Sequence, residues 1–253
     1  MSELANPYSP PRSNVRLPEQ PLATYQLLAE PRAVPAVMGF KWIGKGWGLM
    51  KPDLGMWILM LLTVMVFNIL ISFLPFIGGI VTTLLSPVFA GGMLMALRGA
   101  EQGQRVQFSS LFAGFSTRFA PLLGLGALNL AMWLIVVTCL GVLFWSFFAI
   151  YGADVATVDL PSSFSSTAVS LAVLLGFIGF AVISMLLWFA TPLVALQDVP
   201  VFKALGMSMT ACLRNIVPLL LYSLAAFGLI LLGILPIGLG LLIVFPLLLA
   251  AFY

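Results

Sequence analysis

Histidine is absent from this chain of 253 residues, and cysteine occurs twice. Structural zinc and iron–sulfur sites are built from clusters of those two residue types, so their usual spacings are excluded. Charge is scarce too: Asp, Glu, Lys and Arg make up 8% of the residues, against about 25% in an ordinary soluble domain. With 62% hydrophobic residues, a water-soluble fold could not cover its outer face, and lipid is the fitting solvent. No Walker-type loop is present, and Gly238-Leu239-Gly240 is too short for a dinucleotide fingerprint. No basic run carries the interleaved aromatics that bind single-stranded nucleic acid. The expectation is a membrane protein with no catalytic activity, no cofactor and no nucleic-acid partner.

Four runs contain no charged side chain at all: Leu54 to Leu97, Phe119 to Ala153, Leu160 to Gln197 and Asn215 to Tyr253. One bilayer crossing takes about 20 apolar residues. The first and last runs carry turn signals in their middles, at Leu74-Pro75-Phe76-Ile77-Gly78-Gly79 and Leu235-Pro236-Ile237-Gly238, so each folds back. The two central runs each hold one long helix, separated by a polar loop around Asp154 to Thr167. The expected fold is all-α, a polytopic bundle of six spans.

The basic residues then fix an orientation. They fall before the first span (Arg12, Arg16, Arg32, Lys41, Lys45, Lys51), between spans two and three (Arg98, Arg105, Arg118), and between spans four and five (Lys203, Arg214). Positively charged loops stay inside, so both termini are expected in the cytoplasm, with Asp154 and Asp159 outside. The net charge of +3 suits anionic headgroups at the inner surface. Residues 1–37 hold seven prolines and no apolar core, and read as a disordered cytoplasmic tail. The transmembrane domain is 38–253.

Three segments share a plan. A short amphipathic helix comes first, at about 38–51, 108–119 and 201–214, and a proline (Pro52, Pro121, Pro218) opens the span that follows. Apolar stripes recur at helical spacing: Phe40, Ile43, Trp47 and Met50; Phe108, Leu111, Phe112, Phe115 and Phe119; Phe202, Leu205, Met209 and Leu213. Such elbow helices lie in the interface with the stripe toward hydrocarbon, while Lys41, Lys45, Arg118, Lys203 and Arg214 reach the headgroups. Each return span carries a further proline, Pro87, Pro192 or Pro246, expected to free the carbonyl four residues earlier and kink the helix. The reading is a threefold repeat of elbow helix plus transmembrane hairpin.

The stretch Thr191-Pro192-Leu193-Val194-Ala195-Leu196-Gln197-Asp198, with Ala204, Ser208 and Asn215 after it, resembles a pattern of YciC-like bacterial inner-membrane proteins. It is similar also to the membrane domain attached to some glycerophosphodiester phosphodiesterases. Pro87-Val88-Phe89-Ala90-Gly91-Gly92, Gly103 and Leu111-Phe112-Ala113-Gly114-Phe115 resemble a group of uncharacterised six-span proteobacterial proteins. The resemblance covers most of residues 40–253 and implies an inner-membrane protein of unassigned role. The phosphodiesterase domain itself has no counterpart here.

Few polar groups lie within the spans. Asn68 and Asn129 are the candidate intramembrane polar cluster, suited to interhelical hydrogen bonds or a small polar pocket. Gly124, Gly126, Gly176, Gly179, Ala225 and Gly228 permit close helix approach. Cys139 and Cys212 read as small apolar fillers at different depths. Asp53 and Asp198, at the span boundaries, suit capping or anchoring better than proton relay. Two functions fit. One is a non-enzymatic module that binds membrane lipids, a protein partner or a second copy of itself. The other is a transporter or channel for a small uncharged or amphipathic solute, with its cavity around Asn68 and Asn129.

Overall fold

The structure is a computed structural model that describes residues 28, 30–75, 77–151 and 162–253. The tail up to residue 27 and the loop segment with Asp154 and Asp159 lie outside the described residues. Every described element is helical. In chain order they are α1 (Met38–Met50), a 3-10 turn (Lys51–Asp53), α2 (Leu54–Ser72) and α3 (Ile77–Glu101). A second 3-10 turn (Phe108–Phe112) runs into α4 (Ala113–Thr117), followed by α5 (Phe119–Tyr151) and α6 (Ser162–Trp188). The chain ends with α7 (Ala190–Gln197), α8 (Val201–Arg214), α9 (Ile216–Ile234) and α10 (Leu241–Phe252).

Five stretches are long and apolar enough to cross a bilayer: Met38–Ser72, Ile77–Glu101, Phe119–Leu143, Ser170–Gln197 and Ile216–Ile234. The expected sixth span meets a shorter helix. At 1.5 Å per residue the 12 residues of α10 reach only about 18 Å, against a hydrocarbon core of about 30 Å. The reason lies in the preceding turn, where Ile237 and Gly238 take positive φ values of 56° and 81°. That turn removes six apolar residues, 235–240, from the helix.

The long helices pack as antiparallel neighbours. Phe67 of α2 meets Phe89 of α3, with ring centroids 5.2 Å apart. Trp133 of α5 meets Phe180 of α6 at 6.0 Å, and a Cβ built on Gly179 would lie 3.1 Å from Val136. On α9, Tyr222 donates its hydroxyl to the Leu248 carbonyl of α10 at 3.0 Å. The helix α3 is the hub: Met93, Leu94 and Leu97 join Met50, Trp57 and Met60 in one core, while Val88 joins Leu122, Leu125, Val194 and Ala204 in another.

The three elbows form at about the expected places, but the second is broken, a 3-10 turn plus the five residues of α4, with Arg118 between it and α5. Their apolar stripes do not all face the same way. Phe40, Trp47, Phe108, Phe112, Phe119, Phe202 and Leu213 are exposed, as suits lipid. The faces turned toward the bundle mix small and large residues: Gly39, Gly46 and Met50; Leu111 and Gly114; Ala204, Leu205, Ser208 and Cys212. Small side chains let backbones approach, and in a bilayer close packing, not apolar contrast, holds helices together.

Candidate functional site

The second elbow packs on α3, the third on α6 and α7, and the first on α10 and α9. On α3, Gly92 lies under the second elbow, where a Cβ would come 2.7 Å from the Leu111 carbonyl carbon and 2.8 Å from the Ser110 oxygen. Gly114 abuts the Val88 carbonyl of the same helix. A Cβ on Gly46 of α1 would lie 2.6 Å from the Ala251 nitrogen of α10. Gly39 is as tight, against Pro218 and Tyr222 of α9.

The third elbow uses a hydroxyl instead. Ser208, fully buried, accepts the Phe189 N–H at 2.9 Å and donates to the Met185 carbonyl at 2.7 Å. Those two backbone groups would bond each other in a regular helix, so the hydroxyl is inserted into the ladder. Pro192, which lacks an N–H for the Trp188 carbonyl, follows within one turn. Together they end α6 at Trp188 and restart the chain as α7. Pro87 and Pro246, by contrast, lie inside unbroken helices, and the carbonyl that Pro87 frees, that of Thr83, accepts the Ser86 hydroxyl at 3.2 Å.

The return helices α3, α7 and α10 converge at the end of the bundle that carries the elbows. Between them is a half-open cavity of about 960 Å³. Its wall is mostly apolar and aromatic, with Trp42, Trp188, Phe189, Tyr222 and Phe252 prominent. Lys45, Arg98, Glu101 and Gln197 supply the polar part. Arg98 donates to the Leu196 carbonyl at 2.7 Å, and Tyr253 donates to Glu101 at 2.5 Å. Trp188 packs against Tyr222 and Phe252, and its indole N–H is buried without a partner among the described residues.

Leu28 and Pro31 also line the cavity, and they belong to a strap tied to the end of α8. Asn215 accepts the Val34 N–H at 2.9 Å and donates to the Arg32 carbonyl at 3.1 Å. Arg214 donates to the Pro31 carbonyl and pairs with Glu30 at 2.8 Å. Residues 30–34 are therefore tied to the end of α8. Composition hides this, because the partners that hold the strap lie about 180 positions away.

The basic elbow residues divide into two groups. Arg118 pairs with Asp198, the left-handed cap of α7, and Arg214 with Glu30. Lys41, Lys45 and Lys203 form no ion pair among the described residues and stand exposed. Asp53, in the 3-10 turn between α1 and α2, accepts from Arg105 at 2.6 Å and from the Val106 N–H at 3.1 Å. Those two donors, Arg105 first, hold its carboxyl below the ordinary value against the opposing effect of burial.

Asn68 and Asn129 do not make one site. Asn68 is exposed and gives its amide to the Val64 carbonyl on its own helix at 2.7 Å. Asn129 has a buried Oδ1 with no partner among the described residues. Neither lines the cavity. Of the small residues read as contact points, Gly126 meets the Leu84 backbone, Gly176 and Gly179 meet α5, and Gly124 and Gly228 face open space. Cys139 is exposed and Cys212 buried, and neither forms a disulfide. Burial pushes the Cys212 thiol up to about 11, with the Ser208 hydrogen bond opposing, which leaves it inert at neutral pH. Among the described residues no three His, Cys, Asp or Glu side chains gather as a metal site would require.

A bundle of long apolar helices with this little charge is a multi-pass membrane protein. The chain is similar to a probable inner membrane protein of Burkholderia thailandensis, at 29% identity over 206 residues, which covers 78% of this chain and 74% of that protein. Inner-membrane residence agrees with both observations. No family profile matches the chain, and no solved structure matches it.

Proposed function

We propose that the chain is a non-catalytic inner-membrane module that binds membrane lipid in the cavity at its elbow-bearing end. The observation that carries this reading is the cavity itself. Its volume of about 960 Å³ is at the upper end of small-molecule sites, roughly 300–1,000 Å³. Its walls are apolar and aromatic, and its charged groups, Lys45 of α1 with Arg98 and Glu101 at the end of α3, gather at the elbow-bearing end. That arrangement suits an amphiphile.

The same reading takes the chain through the bilayer six times as three hairpins, with both termini in the cytoplasm. The short α10 counts as a crossing because both ends of the last hairpin return to α1. Gly39 meets Pro218 and Tyr222 near the start of α9, and Gly46 meets Ala250 and Ala251 at the end of α10. Basic residues collected at the elbow end support the orientation. Gly92, Gly114, Ser208 and Asn215, which carry the resemblance to YciC-like and related proteins, are residues that seat elbows or the strap, and this supports a shared architecture. The transport reading required a polar cavity around Asn68 and Asn129, and the cavity described here uses neither.

The test is native mass spectrometry of the chain extracted from its own membrane in mild detergent. The expected result is one or more lipid molecules retained per chain. A chain that emerges bare, yet monodisperse and helical, overturns the lipid-binding reading.

A further inference from the structure

Resting on the lipid-binding reading, we propose that Lys45 is the phosphate ligand of the cavity, and that the occupant is a membrane phospholipid with its glycerol and first chain carbons against the Trp188–Phe252 wall. Three observations converge on this. The first is charge. The cavity is lined by Lys45, Arg98 and Glu101, a sum of one net positive charge, which a phosphodiester neutralises. Arg98 is engaged with the Leu196 carbonyl and Glu101 with the Tyr253 hydroxyl. Lys45 has no ion-pair or hydrogen-bond partner for its ammonium group among the described residues, so it is the cation left for a ligand.

The second is depth. Trp42, Trp188, Tyr222 and Tyr253 ring the cavity, and Trp and Tyr concentrate where headgroups meet hydrocarbon. At that level the anion that amphiphiles carry is phosphate. The third is the placement of Lys45 within its helix. Gly46, next to it, is pressed against the backbone of Ala250 and Ala251, which fixes the rotation of α1 and turns the lysine along the cavity rim. The other unpaired cations among the described residues, Arg32, Lys41, Lys51 and Lys203, do not line the cavity.

The experiment adds defined lipids to delipidated full-length chain and counts those retained by native mass spectrometry. Phosphatidylglycerol is compared with diacylglycerol of the same acyl chains, and inorganic phosphate is the competitor. One phosphatidylglycerol per chain is expected, at least tenfold above diacylglycerol, with no displacement by inorganic phosphate. Lys45→Gln should lower retention at least threefold, Lys45→Arg should restore most of it, and Lys203→Gln should leave it unchanged. Ala211→Trp, which fills the cavity, should remove both lipids. Equal retention of the two lipids, equal effects of the Lys45 and Lys203 changes, or displacement by free phosphate would each overturn the assignment while the lipid site stands. Retention of neither lipid would bring down the site as well.

Discussion

The elbow end of this bundle and its α5–α6 arm hold together by different means. At the elbow end, backbones touch at glycines, a buried hydroxyl is threaded into a helix, and ion pairs and a strap tie distant segments. The helices α5 and α6 extend as a two-helix arm. Leu134, Ile135, Val137 and Val142 on one helix and Val173 and Phe177 on the other are about 60% exposed or more. Gly176 and Gly179 meet only side chains, Leu140 at 3.3 Å and Val136 at 3.1 Å. In lipid the arm loses nothing by exposure, because hydrocarbon is as good a neighbour as protein. The elbow end needs specificity instead, because α1 and α8 must close with α3, α7, α9 and α10 around one cavity.

The sharpest way to break this comparison is to add one methyl group in each region. At Gly92 a Cβ would meet the backbone of Ser110 and Leu111, which cannot yield as a flexible side chain can. Gly92→Ala should therefore destabilise the chain by about 3 kcal/mol, as overpacking of a tight core does. At Gly141, in the arm, nothing lies within 4 Å. Gly141→Ala should be stabilising by roughly 0.5 kcal/mol, through the better helix propensity of alanine. Thermal unfolding in detergent, followed by loss of the monodisperse peak, gives both signs. Equal shifts would mean that the two regions are not packed differently.

A smaller effect is expected where the elbow end uses a hydroxyl. Ser208→Ala removes the bridge between the Phe189 N–H and the Met185 carbonyl and should cost about 1–2 kcal/mol, the usual range for a buried backbone group left unpaired. Hydrogen exchange at Phe189 should rise with it. If neither changes, the helix ladder closes on itself and the break between α6 and α7 belongs to Pro192 alone.

Much of the elbow architecture is legible in the sequence, and its facing is not. Runs without charge mark the membrane segments because burying an unpaired charge in hydrocarbon is costly. The elbows announce themselves by apolar spacing beside Lys and Arg, and Val201–Arg214 is the helix that this spacing implies. Yet the stripes name the lipid face only in part. Phe40, Trp47, Phe202 and Leu213 look outward, whereas Met50, Leu111 and Leu205 of the same stripes are buried, and the closest approaches to the bundle fall at Gly39, Gly46 and Gly114. A search for large apolar residues passes over glycines, although close approach is the signal that matters in a bilayer. The cavity was less legible still. Lys45, Arg98, Glu101 and Trp188 lie on α1, α3 and α6, and no local spacing links them. Asn68 drew notice as a polar residue in an apolar run, but a carbonyl one turn back satisfies its amide, which composition cannot reveal.

The strap sharpens the comparison further, since it adds polar bonds to the elbow end that the arm does not match. Asn215→Ala breaks the contacts with Val34 and Arg32 and should cost about 1 kcal/mol, in line with a few partly buried hydrogen bonds. Protease cleavage between Glu30 and Pro35 should become faster while the α5–α6 arm stays as resistant as before. Unchanged cleavage would show that Arg214 and Glu30 hold the strap by themselves.

The smallest effect belongs to the ion pair between the first elbow and the connection after α3. Arg105 is 81% exposed and Asp53 15%, so solvent screens most of their attraction. Its pH dependence still has a definite sign. The folded chain holds the Asp53 carboxyl below its ordinary value, so protonation is easier in the unfolded chain. The contact therefore contributes its full share above the ordinary carboxylate range and loses it as pH falls through the depressed folded value. Asp53→Asn should unfold slightly earlier than the native chain at neutral pH, and the two should converge in acid below that range. A gap that widened on acidification would mean that Asp53 is worth more protonated than ionised, and that neither Arg105 nor Val106 holds its carboxylate.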